Sequence, residues 1–327
     1  MAIKTIFLIV TFFLVSLFTV FTWAKKDMAF EDWLEEIRRQ ALVRGISGET
    51  LDGALNGLKP IPRVIELDRN QPEFDMTLDE YLHLTVTDKR ITKGKIMLAK
   101  HRALLADIFD RYGVPPRYIV ALWALESDFG RRTSSFPVIG ALATLAYEGR
   151  RRSMFQKELF YALRILDDGS ISKQMLKGSW AGAMGQLQFM PSTFYRFAVD
   201  YDGNGQADIW NSLKDAFASA ANYLSKSGWK TGRKWGREVC LPKGFDRALL
   251  GLKTHKHLSE WQSLGVRGPK GYDLPKEPDL YASLIQPDTP KGRAFLVYDN
   301  YRVILDWNRS HLFGIAVGIL ADNIEEH

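Results

Sequence analysis

Cysteine is all but absent from this chain: Cys240 is the only one in 327 residues. One thiol closes no internal disulfide, so stability has to come from the core. No cysteine lies near the N-terminus, and a bacterial lipid anchor there has no residue to carry it. Internal repeats and low-complexity segments are missing as well. Before residue 240 no run alternates apolar with polar residues, which excludes a large half-exposed sheet in that part. Charge is not dominated by one sign: 44 Lys and Arg face 38 Asp and Glu, and the net +6 is spread along the chain. With no recognisable binding motif, nucleic acid is not an expected partner.

What is present begins with a segment unlike the rest. Lys4 precedes a mostly apolar stretch from Ile6 to Trp23, with Thr22 and Ala24 as small residues before Lys25. This is the pattern of a secretory signal over residues 1–24. The stretch also approaches the roughly 20 residues of a spanning helix, so an uncleaved inner-membrane anchor is the alternative. Either way the chain is expected outside the cytoplasm, in the periplasm. Helical spacing then runs through Phe30–Leu58, interrupted by Pro60, Pro62 and Pro72, and through Tyr81–Tyr112 as one or two amphipathic helices. Gly140–Leu166, Ser192–Ala198 and Lys214–Ser227 read as helical too. From Thr231 to Pro290 the helical period fades, and Phe295–Tyr298 and Val303–Leu305 read as two short strands. Ser310–Ala321 is a last apolar helix.

Residues 119–130, Ile-Val-Ala-Leu-Trp-Ala-Leu-Glu-Ser-Asp-Phe-Gly, carry the sharpest chemical signal. Seven apolar residues in a row mark a buried helix. Pro115 and Pro116 suit its start and Gly130 its stop. Glu126 therefore sits on a buried helix near its C-terminal end. Burial and the negative helix end both disfavour the charged form. A carboxylic acid that keeps its proton suits a departing glycosidic oxygen. From this helix alone, a core-edge Glu paired with Arg131 or Arg132 explains the residue as well.

Two further stretches stand out. Gly178 to Thr193 packs three glycines ahead of Gln186 and Gln188, set among Met184, Leu187, Phe189 and Met190. Amides among apolar surfaces suit sugar hydroxyls and acetamido groups, and a tight helix junction would use the same residues. Asp200-Tyr-Asp202-Gly-Asn204-Gly-Gln206-Ala-Asp208 places oxygen donors at loop positions 1, 3, 5 and 9, with glycine at 6. Position 12 is Asn211 where a bidentate Glu belongs, and Asp215 is near enough to close the loop instead. A plain Asp-Gly and Asn-Gly turn is the metal-free alternative. The triplet Arg150-Arg151-Arg152 reads as a solvated helix start or as a contact for an acidic polymer.

Taken in order, Val114-Pro-Pro, Leu125-Glu-Ser-Asp-Phe-Gly, Ala141-Leu-Ala-Thr-Leu, Ala181-Gly-Ala-Met-Gly-Gln-Leu-Gln-Phe-Met-Pro-Ser, Ala198-Val-Asp-Tyr-Asp-Gly-Asn-Gly and Trp307-Asn-Arg-Ser resemble blocks of the lytic murein transglycosylase B family. The resemblance covers roughly residues 28–324. It implies a mainly α fold with small β elements: a lysozyme-like catalytic region over 25–230 that includes a calcium-type loop at 200–215. A peripheral loop- and strand-rich segment over 231–306 and a C-terminal helix over 307–327 returning to the core complete it. Glu126 then resembles the family's single catalytic acid/base. Ser127, Met184, Gln188, Phe189, Arg150, Arg151 and Asn308 resemble substrate-binding residues. Asp200, Asp202, Asn204, Gln206 and Asp215 resemble ligands of a structural calcium ion. No cofactor is implied for catalysis. The substrate would be peptidoglycan glycan strands, cut between MurNAc and GlcNAc with a 1,6-anhydro end. Cell-wall synthesis proteins are the implied protein partners of an expected monomer. A water-using muramidase and a non-catalytic wall-binding protein are the rival readings.

Overall fold

The computed structural model describes residues 28–70, 76–133, 135–277, 279–288 and 290–325. The expected signal or anchor at 1–24 and Pro72 lie outside these residues. The fold is mainly α. Fourteen α-helices run in chain order among the described residues, with two small antiparallel sheets. None of the described helices is long and apolar enough to cross a membrane.

The centre is α7 (Pro116–Ser127), in which every residue from Tyr118 to Ala124 is buried. Pro116 supplies a preset φ at the first turn, where its missing N–H costs nothing. Around α7 pack α5 (Asp88–Lys100), α6 (Arg102–Tyr112), α11 (Leu213–Lys226) and α14 (His311–Ile324). Helix α14 is apolar along most of its length and lies closely against α7. Farther out, α8 (Val138–Glu148), α9 (Arg152–Asp167) and α10 (Pro191–Phe197) form a second layer, with α1 (Phe30–Val43), α2 (Gly48–Leu55) and α3 (Pro62–Arg69) outside it. A two-stranded pair, β1 (Phe136–Pro137) and β2 (Lys177–Gly178), joins this layer to the loops that follow.

Several expected elements divide differently. Tyr81–Tyr112 lies in three helices, because Thr87 caps the start of α5 and a break at His101 separates α5 from α6; α4 (Leu78–Thr85) precedes them. The long helix expected over Gly140–Leu166 is broken at Gly149, whose φ of 93° suits glycine. The strand expected at Val303–Leu305 is wrong. These residues lie in α13 (Asp299–Trp307). A three-residue apolar run does not separate strand from helix. Asn300, fully buried, decides it: its amide donates to the carbonyls of Lys230 and Arg233 and accepts from the Lys230 N–H. Tyr301, Ile304 and Leu305 then fall inward at helical spacing.

Between residues 236 and 297 a four-stranded antiparallel sheet forms in the order β3 (Gly236–Val239), β6 (Ala294–Val297), β5 (Tyr281–Ile285), β4 (Gly251–His257). Alternate residues of a strand face opposite sides. Ile285, Phe295 and Val297 join the main helical core. Ala282, Leu284, Ala294 and Leu296 build a separate core with Trp261 and Leu258 from α12 (Leu258–Ser263). The sheet is therefore buried on both faces.

Trp235 leads into this sheet and lies over α14. A β-carbon at Gly318 would stand 2.2 Å from its ring. Gly318→Ala is therefore expected to overpack the junction and cost about 1–3 kcal/mol of stability. A calorimetric melting temperature equal to that of the unaltered chain would contradict this.

Candidate active site

Glu126 is half-buried, one residue from the C-terminal end of α7. Immediately beyond the helix, Asp128, Phe129 and Gly130 all adopt positive φ, at 51°, 61° and 76°. Two non-glycine residues in the left-handed region in succession are costly, of order 1–3 kcal/mol each. The turn is held from within. The fully buried Ser127 accepts the Gly130 N–H at 2.9 Å and donates to the Trp123 carbonyl at 3.4 Å. Ser127 thus braces the turn from inside the protein, and the substrate-binding role expected for it is not one its hydroxyl is placed to play. Arg131 and Arg132 both turn toward Asp128. The arginines that would have made Glu126 an ordinary surface pair are engaged there instead.

The carboxyl of Glu126 meets α13 across 181 residues of sequence: the Trp307 indole N–H donates to its Oε1 at 2.8 Å. Trp307 is in turn fixed edge-on by Phe189 at 5.2 Å and Tyr223 at 5.0 Å, and Tyr223 by Phe197 at 4.8 Å. Such edge-to-face contacts each add about 0.5–1.5 kcal/mol beyond burial. Sequence reasoning placed Trp307 in a recognised block and assigned it no role. The signal was there: a tryptophan has one donor, and half-buried beside a carboxylate it uses it.

The glycine-rich stretch forms a tight loop closed by two bonds, Met184 N–H to the Phe189 carbonyl at 2.8 Å and Phe189 N–H to the Met184 carbonyl at 2.9 Å. Gly185, at φ 68°, lies so close to Ile209 that a β-carbon would meet it at 2.7 Å. The glycines serve packing here. Gln186 is spent on structure, accepting from the Trp123 indole at 2.9 Å and donating to the Trp210 carbonyl at 3.1 Å. Gln188 differs. It is half-buried at φ 51° and donates one amide hydrogen to the Gly185 carbonyl at 2.8 Å. Its left-handed backbone is a strained conformation for a non-glycine residue, held by that bond. Met184 and Phe189, expected to line the groove, are instead 0% and 2% exposed and form its backing.

Arg150 and Arg151 make their contacts on α3, away from this cluster. Both pair with the buried Asp68 of α3, Arg151 through Oδ1 at 2.5 Å and Arg150 through the Asp68 carbonyl at 2.8 Å. They tie α3 to the α8–α9 connection, and the buried charge they neutralise explains the basic pair without a ligand. Asn308 is exposed beside Trp307, and its Oδ1 accepts the Ser310 N–H at 3.0 Å.

Away from this site, the loop 200–215 gathers carboxylates. Ligand oxygens of Asp200, Asp202 and Asp215 lie within 4.8 Å of one another. Asp215 is fully buried, and its oxygens accept the backbone N–H groups of Tyr201 at 2.8 Å and Asp208 at 3.0 Å. Asp200 accepts from Gly203, Asn204 and Gly205. Asn211 donates its amide hydrogen and its backbone N–H to Asp208, which is thereby turned to its own turn. Asp215, from the first turn of α11, arrives where the missing Glu would. Three clustered carboxylates, one of them buried, fit a hard divalent cation.

Fold and site together define a lysozyme-like protein with one acid at the end of a buried helix. The chain belongs to the family described as the Transglycosylase SLT domain, which matches residues 29–322. It is 31% identical over 242 residues to membrane-bound lytic murein transglycosylase B of Escherichia coli strain K12, a match covering 71% of this chain and 63% of that one. The chain thus spans less than two thirds of that curated relative. Among solved structures it resembles SltB3 of Pseudomonas aeruginosa in complex with NAG-anhNAM-pentapeptide, at 46% identity and a TM-score of 0.85, over 90% of this chain and 79% of that one. It also resembles the Escherichia coli lytic transglycosylase Slt35 in complex with calcium, at 28% identity and a TM-score of 0.76, over 89% and 92%.

Replacing Trp307 by Phe keeps the aromatic packing and removes the donor to Glu126. Hydrogen bonds to charged groups contribute about 1.5–3 kcal/mol. If the carboxyl is the reacting group, kcat should fall by about ten-fold or more while KM changes little. A KM effect with kcat intact would place Trp307 in binding alone.

Proposed function

We propose that this protein is a peptidoglycan lytic transglycosylase acting on the MurNAc–GlcNAc β-1,4 bond. The observation that carries the reading is Glu126, delivered by a buried helix, oriented by Trp307, and followed in sequence by an acid, Asp128, that is turned to Arg131. Two-carboxylate glycosidases need a second acid facing the bond. One carboxyl suffices where the sugar supplies its own nucleophile. Glu126 gives its proton to the leaving glycosidic oxygen, and the 2-acetamido group stabilises the anomeric carbon as the bond breaks. The carboxylate then takes the proton of the 6-hydroxyl, whose oxygen closes on the anomeric carbon. The product is a 1,6-anhydro ring, and no water is added. Gln188 and Asn308, polar and beside the Trp307 wall, are the residues proposed to contact the sugars. The likeness to SltB3, whose structure holds an anhydro-sugar fragment, supports this ring closure over hydrolysis.

In this reading the chemistry belongs to residues 25–230 and 307–327, while the segment 231–306, expected to be peripheral, contributes Trp235, Phe295, Val297 and most of α13 to the main core that supports them. The protein would work on the periplasmic side of the cytoplasmic membrane, where its substrate is. Glu126→Gln keeps the shape of the side chain and cannot give a proton. Cleavage of purified sacculi should fall by at least about 10²–10⁴, with sacculus binding retained. Mass spectrometry of the products should show anhydro ends. Free reducing ends would make the enzyme a muramidase, and activity within a few-fold of the unaltered chain would remove Glu126 from its role.

Asp200, Asp202, Asn204, Asp215 and the Gln206 carbonyl are proposed to hold a calcium ion, as Slt35 holds one. The ion would screen the buried Asp215 and fix the entry to α11, and it would polarise no substrate. A cation bound only by the folded state adds RT ln(1 + [L]/Kd) to stability. The melting temperature should rise with calcium and fall with chelator, and an Asp200→Ala, Asp202→Ala variant should lose the response. Identical melting curves with chelator and with millimolar calcium would leave the loop a plain turn.

A further inference from the structure

A cleft opens near the N-terminal ends of α7 and α13. Helix α13 runs from Asp299 to Trp307, and α7 from Pro116 to Ser127. Trp307 meets Glu126 at their C-terminal ends. At the N-terminal end, Trp229 packs edge-on against Tyr118 at 4.6 Å, and Lys230 is clasped by Asn300. Tyr118 and Glu126 are eight residues apart on one helix, about 12 Å of rise. Beside Trp229, a cleft of about 470 Å³ runs between the helical core and the four-stranded sheet. Junctions between layers of this kind are where ligands bind.

The sheet side of the cleft is built by register. His257 pairs with Tyr281 across β4 and β5, and their rings lie 3.8 Å apart, with His255 5.2 Å away. Tyr281 alternates with Ile285 on the face that meets the helical core, at the edge where that core ends. His257 covers part of the ring, yet Tyr281 remains 43% exposed. Two carboxylates, Asp279 and Asp299, and three nitrogen groups, Lys230, Arg233 and His255, line the same space, with Arg233 paired to Glu277 at 3.5 Å. His255 stands 4.0 Å from Asp299, while Lys230 and Asp279 enter no ion pair among the described residues. Both signs of charge are present, so neither an anion nor a cation is favoured. A neutral ligand rich in hydroxyls uses donors and acceptors alike, and its apolar ring face covers an exposed tyrosine.

We propose that this cleft is a second saccharide-binding site, which holds a stretch of peptidoglycan glycan chain away from the bond being cut. The inference rests on the proposed function for the identity of the glycan. Two contacts with one polymer make the second binding event intramolecular, so a weak site still lengthens residence on the strand.

The test uses the full chain carrying Glu126→Gln, which holds strands without cutting them, and peptide-free glycan strands prepared with an amidase. Tyr281→Ala is expected to raise Kd for these strands by about three- to ten-fold, the range of one aromatic contact. Asp279→Asn, on an exposed turn, is expected to raise it by about two-fold or more without touching the core. With Glu126 intact, Tyr281→Ala should cut a tetrasaccharide, too short to need the second site, at the unaltered rate. Unchanged strand affinity in both variants would overturn the proposal. So would a loss of tetrasaccharide cleavage equal to the loss of strand binding. A wild-type chain that cuts neither substrate would defeat the proposed function, while the strand affinities of the Glu126→Gln proteins would still report on the cleft.

Discussion

The candidate site depends on one hydrogen bond between two helices that are remote in sequence. Glu126 ends α7 and Trp307 ends α13, and the indole donates to the carboxyl at 2.8 Å. Either residue alone would be free to rotate. Holding both requires that α14, which follows Trp307, lie tightly along α7, while Gly314 lets Tyr301 and Leu305 of α13 close on α14 and Gly318 does the same for Trp235. It also requires that α13 begin where it does, which the buried amide of Asn300 enforces. A side chain in a functional constellation has to be held to within about half an ångström. Here the holding is done by the packing of whole helices.

The turn after Glu126 shows the cost of that placement. Asp128 and Phe129 sit in the left-handed region, and Ser127 is buried to pin them. Asp128 is thereby turned from the acid beside it and toward Arg131 and Arg132. The strain and the isolation of Glu126 have the same cause. A relaxed helix end would have left a second carboxylate free to swing back, and with it a different chemistry.

Much of this was legible in the chain. The run Ile119–Leu125 marked a buried helix, and its flanking prolines and Gly130 marked its ends, because each is a local rule with a local consequence. The approach of Asp215 to Asp200 and Asp202 was also legible, since it is the next carboxylate after Asn211 at position 12. What was not legible has a different origin. Val303–Leu305 looked like a strand because three apolar residues carry no period, and the deciding contact comes from Lys230 and Arg233 far along the chain. Met184, Phe189, Arg150 and Arg151 were of a type suited to sugars and anions. Whether an aromatic ring or a guanidinium faces a groove or the core is set by what packs against it. Phe189 found Trp307, and Arg151 found Asp68. No spacing rule within either segment contains those partners.

The same distinction separates the two polar loops. The acidic loop at 200–215 is built mostly from its own residues: Asp200 takes three backbone N–H groups within five positions, and only Asp215 comes from the next helix. Its geometry follows from sequence because its contacts are short in sequence. The wall around Glu126 draws on residues 126, 189, 223 and 307, and these meet only when α7, α11 and α13 are packed. A loop of the first kind depends little on the packing of distant helices. A wall of the second kind exists only in the finished fold, so any change that loosens α13 or α14 against α7 reaches Glu126 before it reaches the loop.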